Sequence, residues 1–297
     1  MVLVAPRPLL RPAPPGDAVA DRGTGAEVLA LLRGDAAARP RFDPGLAGGL
    51  RAWLEDAAYD VVAARGEHAA PLLLGPRQLL GSHDEFGGDD GDGGDGGGRL
   101  ILSRLVHILL RQLVHTGEIG DPLADALDAL RASGDEAEVR EIETLPAAAG
   151  TALAETLPLH ARNLTEVVPR FAPGWMPRTD DRVAIPLAGG RIILHGVFDL
   201  VVGLPQPRTA SLCALGLSIT GPWASARRSL HYLSLLETLR TGTPPFRLAL
   251  LESASGRYGV EDVREEHLRA LASHIAAWLA QAATVPTATA TAHAAHG

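Results

Sequence analysis

The chain predicts an α/β fold, a mixed central β-sheet flanked by helices with a further helical region at its N-terminal end. Three observations carry this. Apolar residues recur at helical spacing through much of the first 168 residues, most strongly over 100–116. From residue 182 the period changes to two, and strand-like runs follow at 182–186, 191–202 and 210–219. A helix at 224–240, a strand at 246–252 and a closing helix at 260–283 come after them. Helices, three strands, helix, strand, helix is an order that assembles as helices against one mixed sheet.

Taken in order, residues 1–24 are rich in Pro, Gly and Arg and read as disordered. Residues 25–83 read as a small helical region. It holds a short apolar helix at 26–32 and a longer one at 46–64, with Trp53, Leu54, Tyr59 and Val62 at helical spacing. The apolar run 72–80 contains Gly75 and Pro76. Residues 84–98 are a Gly/Asp-rich stretch expected to be a flexible acidic loop. Asp90, Asp92 and Asp95 there are spaced somewhat like calcium ligands, but the closing Glu and flanking helices of an EF-hand are not in place.

Residues 99–283 hold the rest of the pattern. The helix at 121–133 has Pro122 in its first turn and Gly134 at its end, as helix starts and stops favour. Residues 135–168 read as helix broken near Pro146 and Pro158, and 171–178 as turns. Ala188, Gly189 and Gly190 join the first two strands as a hairpin, and Gly256 opens a later turn. Residues 284–297, rich in Ala, Thr and His, are expected to be a disordered tail.

Composition narrows the chemistry. With 297 residues and 46% hydrophobic content a sizeable core is available, yet aromatics are only 4%, so Leu, Val, Ile and Ala must fill it. The formal net charge is -8, whereas a protein that coats nucleic acid is usually basic. There is no lysine: all 27 basic residues are arginine. Arginine stays protonated, so Schiff-base, phosphate-loop and proton-shuttling lysines are excluded together. Cys213 is the only cysteine, so no internal disulfide forms, which suits a reducing cytoplasm. The Pro-rich start lacks the apolar h-region of a signal peptide. No apolar stretch reaches the roughly 18 residues of a membrane span. A cytoplasmic location is expected.

Certain segments carry a family resemblance. Residues 190–203 place Gly196, Val197, Phe198 and Asp199 on one strand. Residues 232–246 run from Tyr232 through a helix and turn to Phe246, and Ser255 to Val263 reads as a last hairpin leading to a final helix. Upstream, His107 lies on the helix at 100–116. In these features the chain resembles the RecB-type exonuclease branch of the PD-(D/E)XK nucleases, over roughly residues 100–280. The resemblance implies a restriction-endonuclease-like core and a Mg²⁺-dependent deoxyribonuclease of DNA repair. Asp199 would be a metal ligand and His107 a residue facing the metal. A second carboxylate and a lysine would lie two apart on the next strand, so that both point to one face.

The chain departs from that pattern where the chemistry sits. The strand reads Leu215, Gly216, Leu217, Ser218, Ile219, Thr220, Gly221. Alternation puts Leu215, Leu217 and Ile219 on the apolar face and leaves Gly216 and Ser218 where the acid and lysine belong. A register set by Thr220 and Gly221 puts Leu217 and Ile219 there instead. Either way acid and lysine are gone. Arg111 stands where a Glu often follows the upstream His.

Asp199, His107, His195, Ser218 and Glu252 remain as polar candidates, and Mg²⁺ or Mn²⁺ is expected only if activity persists. Asp199 reads as a surviving ligand or as a hydrogen-bonded strand residue, and His107 as a ligand or as a satisfied core histidine. Arg227 and Arg228 read as phosphate contacts or as a solvated helix start. Ser218 within Gly216-Leu217-Ser218 is half of a nucleophile elbow, but strand alternation accounts for it. Asn163 matches a glycosylation sequon by chance, and Cys213 reads as an inert core thiol. The expected function is that of a degenerate, inactive nuclease-fold protein that binds nucleic acid or a protein partner. The alternatives are an active nuclease with a rearranged site and a non-enzymatic interaction module.

Overall fold

The computed structural model describes residues 18–20, 22–34, 40–66, 69–80, 96–204, 210–219 and 222–284. The three aspartates of the calcium-like run, residues 220 and 221, and the tail from 285 lie outside them. The chain runs β1 (Ala18–Ala20), α1 (Gly25–Arg33), α2 (Leu46–Arg65), β2 (Leu72–Leu74), α3 (Pro76–Leu80) and α4 (Gly96–Thr116). It continues with α5 (Pro122–Ser133), α6 (Glu136–Glu143), α7 (Ala147–Val167), β3 (Arg178–Leu187), β4 (Ile192–Val202) and β5 (Cys213–Ser218). It closes with α8 (Trp223–Thr241), β6 (Arg247–Glu252), β7 (Arg257–Asp262) and α9 (Glu265–Thr284). The fold is α/β with a mixed sheet, as the pattern predicts.

The sheet order is β1-β7-β6-β5-β4-β2, with β3 also paired to β4. β3, β4 and β5 form an antiparallel meander, and α8 carries the chain over to β6, which lies parallel to β5. β2 joins β4 in parallel. Helices cover both faces and make two cores. One face packs α2, α3, α8 and α9 through residues such as Leu54, Leu79, Leu235 and Ile275. The other packs α1 and α4 to α7 through Leu32, Leu109, Leu130, Val139 and Leu157.

Five expectations change at this level. Ala18–Ala20, expected in a disordered segment, pairs with Tyr258, Gly259 and Val260, because the edge of β7 offers unpaired backbone groups. Residues 25–83, read as a small helical region, also supply a strand: α2 lies against α9, and β2 extends the common sheet. α4 begins at Gly96, two residues before the expected end of the Gly/Asp loop. Pro158 sits inside α7 without ending it, since Leu157 and Ala161 beside it are held in the core. Finally, β7 occupies residues assigned to the start of the last helix, which instead begins at Glu265.

Candidate functional site

α4 and the meander bring the site together. β3 and β4 pair from Leu187–Ile192 to Arg178–Val201, but Asp180 and Asp199 drop out of this ladder. Asp180 adopts a left-handed backbone, with φ 53°. Side-chain alternation slips at the same place. Phe198 and Val201 belong to the core beneath α8, whereas Leu200 and Val202 belong to the core beneath α4. Asp199, next to Phe198 and therefore on the opposite face, looks toward α4, and the slip brings Leu200 onto that face as well.

There His107 meets it. His107 Nε2 lies 3.0 Å from Asp199 Oδ1, and His107 Nδ1 lies 2.7 Å from the Ser103 carbonyl one turn earlier. Both ring nitrogens therefore face acceptors, which suits the doubly protonated imidazolium. Burial opposes that charge, but Asp199, by charge and hydrogen bond, and the Ser103 carbonyl outweigh it and lift the His107 pKa to about 9. The second carboxylate oxygen, Oδ2, accepts from the Leu217 backbone N–H at 2.6 Å. The β4–β5 ladder has ended at Leu200–Leu215, so Asp199 supplies the partner that the next strand residue has lost. Beside this pair, Arg111 donates to Asp180 at 3.4 Å. Two carboxylates thus meet two cations.

The apolar and catalytic faces of β5 are exchanged relative to the first expected register. A Cβ on Gly216 would touch Leu230 and Leu250, so Gly216 faces α8, and Ser218, two residues on, shares that face. Ser218 is fully buried. Leu215, Leu217 and Ile219 lie on the α4 face with Asp199. Leu217 and Ile219, rather than Gly216 and Ser218, therefore share the face of Asp199. Glu252 follows Leu248 and Leu250 onto the α8 face by alternation and bonds Ser255, so it is not brought to Asp199. His195 is exposed on β4.

Mg²⁺ does not fit this donor set. A hard cation seeks several oxygens, and both oxygens of Asp199 are engaged by donors. Among the described residues, no group of three or more His, Cys, Asp or Glu side chains could hold a metal ion.

Arg227 pairs within the chain. Its guanidinium lies on Glu261, with Nε 3.0 Å and 3.1 Å from the two carboxylate oxygens. His231 Nε2 reaches the same carboxylate at 2.9 Å. Burial alone would raise the Glu261 pKa, but His231 and Arg227 together pull it down to about 2. Arg228 is half-buried, with Nη2 3.1 Å from Ser225 Oγ, rather than part of a fully solvated helix start. Asn163 is buried and donates to the Ser253 and Ala254 carbonyls, so the sequon is a helix-to-turn tie. Cys213 is buried.

Several polar partners escaped sequence reasoning. Asp180 follows no strand alternation because of its left-handed backbone. The buried pair His160 Nδ1 and Ser253 Oγ, 2.8 Å apart, joins residues 93 positions apart in the chain. No helix among the described residues is long and apolar enough to cross a membrane. Comparison with family models, curated proteins and solved structures finds no match to this chain.

Proposed function

We propose that this chain is a catalytically retired relative of the RecB-type PD-(D/E)XK nucleases that works by binding a partner rather than by cutting DNA. One observation carries the reading. Both oxygens of Asp199 are consumed, one by the His107 imidazolium and one by the Leu217 N–H, and its neighbours on β5 are leucine and isoleucine. With leucine and isoleucine in place of an acid on β5, with Asp180 taken up by Arg111, and with no lysine in the chain, this reading leaves neither the ligand set nor the basic group that metal-assisted phosphodiester hydrolysis uses. The order β3-β4-β5, α8, β6, with β6 parallel to β5, supports the family part of the proposal.

A protein partner is favoured over nucleic acid. The net charge of -8 opposes polyanion binding. Arg227, the best-placed arginine at the start of α8, is committed to Glu261.

The test is incubation of the purified chain and of Asp199→Ala with single- and double-stranded DNA, in Mg²⁺ and in Mn²⁺. The expected result is no metal-dependent cleavage by either, with Asp199→Ala less stable to heat. Cleavage that needs both the metal and Asp199 would overturn the proposal and reinstate an active, rearranged nuclease site.

A further inference from the structure

A second polar cluster lies on the opposite face of the sheet from Asp199. Trp223, Arg227 and His231 recur every four residues along α8 and make one stripe. Arg257 and Glu261 share a face of β7 beneath it. The Arg257 guanidinium stacks over Trp223 at 4.6 Å. Glu261 takes Arg227 and His231 together. His267, in the first turn of α9, meets His231 edge-on, with ring centroids 5.4 Å apart and planes at 90°.

The nitrogens on the far side of these two rings are unusual. His231 Nδ1 and His267 Nδ1 are both buried with no hydrogen-bond partner. A neutral imidazole can leave its bare nitrogen so at modest cost, but adding a proton creates a charged donor with nothing to receive it. The groups acting on His267 are His231 of α8, Glu261 of β7, Glu266 of its own helix and Arg264 just before it. Glu261 is already shared between Arg227 and His231 and has little left to offer a protonated His267. Around the other side of α9, Glu265 and Arg269 engage Asp43 in the loop before α2, so they do not turn toward the ring.

We propose that His231 and His267 form an acid-sensitive latch that holds the first turn of α9 onto α8 and β7, and that protonation of His267 releases it. The latch closes over Val263 and Leu268, which are buried beneath that turn. Release uncovers them. Burial, followed by the neighbouring His231, lowers the His267 pKa below its ordinary 6.5. The folded state then binds fewer protons than the unfolded chain around and below pH 6.5, so the contribution is present above that value and falls as the pH drops through it.

The test uses the full chain, wild type and His267→Gln, melted at pH 7.5 and pH 5.5, with hydrogen exchange measured at both and corrected for intrinsic rates. The wild type is expected to lose about 2–3 °C more than the variant over this interval, the scale of one group's effect in a chain of this size. The extra exchange should fall at the start of α9. His160, also held toward its neutral form by burial, contributes to acid loss in both proteins and reports on α7 instead. His267→Phe keeps the ring against His231 and replaces the Gln variant should that one fold poorly. Equal acid losses in wild type and variant, or acid-induced exchange no greater in α9 than elsewhere, would overturn the latch.

Discussion

Asp199 shows how one residue changes meaning with its neighbours. On a strand beside a second acid it would be half of a cation site; here an imidazolium and a backbone N–H occupy its oxygens, and it joins α4, β4 and β5. His107 makes that join dependent on pH. Its folded-state pKa near 9 lies above the 6.5 of an unfolded chain, so its contribution is complete below pH 6.5 and is lost as the pH rises through 9. The wild type is expected to lose up to about 3 kcal/mol through this group between pH 6.5 and 9.5. His107→Gln should lack that slope in urea melts taken across the range. Arg240 offers a contrasting case. It pairs with Glu237, which is 1% exposed, and with Asp181 at 3.0 Å. Arg240→Ala is expected to cost about 3 kcal/mol in chemical denaturation, because the buried carboxylate is left without its cation. Glu237→Gln should cost much less.

At the scale of the element, β5 explains why alternation misleads. A strand with one wet face sorts its residues by period two, but β5 is covered by α8 on one side and by α4 and its neighbours on the other. Small and apolar residues then occupy both faces, and no pattern says which face looks at Asp199. Gly216→Glu places a carboxylate against Leu230 and Leu250 and is expected to cost at least about 3 kcal/mol, read from thermal melts. An unperturbed melt would mean that Gly216 faces open space after all. α8 has a similar double covering, and every residue from Tyr232 to Leu239 is buried. Gly196 lets it lie close on β4, since a Cβ there would stand 2.4 Å from Leu233 Cδ2. Gly203 has a stricter reason: its φ is 101°, and a Cβ would stand 2.3 Å from the Ser211 carbonyl oxygen.

Over the whole molecule, one sheet separates two apolar cores, and neither core is complete without it. Leu54 lies in one and Leu109 in the other, both fully buried. Leu54→Ala and Leu109→Ala are each expected to cost about 2–5 kcal/mol. Calorimetry should show one transition moving down in both variants. Two transitions, of which each variant moves only one, would show that the layers unfold independently. The shared sheet also ties residues 25–80 to the rest. β2 completes β4, and α2 shields the outer side of α9.

Local periodicity was enough to read the class of the fold, the hairpin at 188–190 and the order of most elements, because those follow from where apolar residues fall along a helix or strand. The absence of lysine alone removed one catalytic group, since no folding can restore it. Position 199 was visible as the acid to watch, and 107 as its partner helix residue. Their contact was not, because it joins residues 92 positions apart in the chain. The same holds for Arg227 on Glu261, for Asp180 beside Arg111 and for β1 on β7. Each pairing depends on which elements become neighbours, and that is decided by packing two helical layers against one sheet.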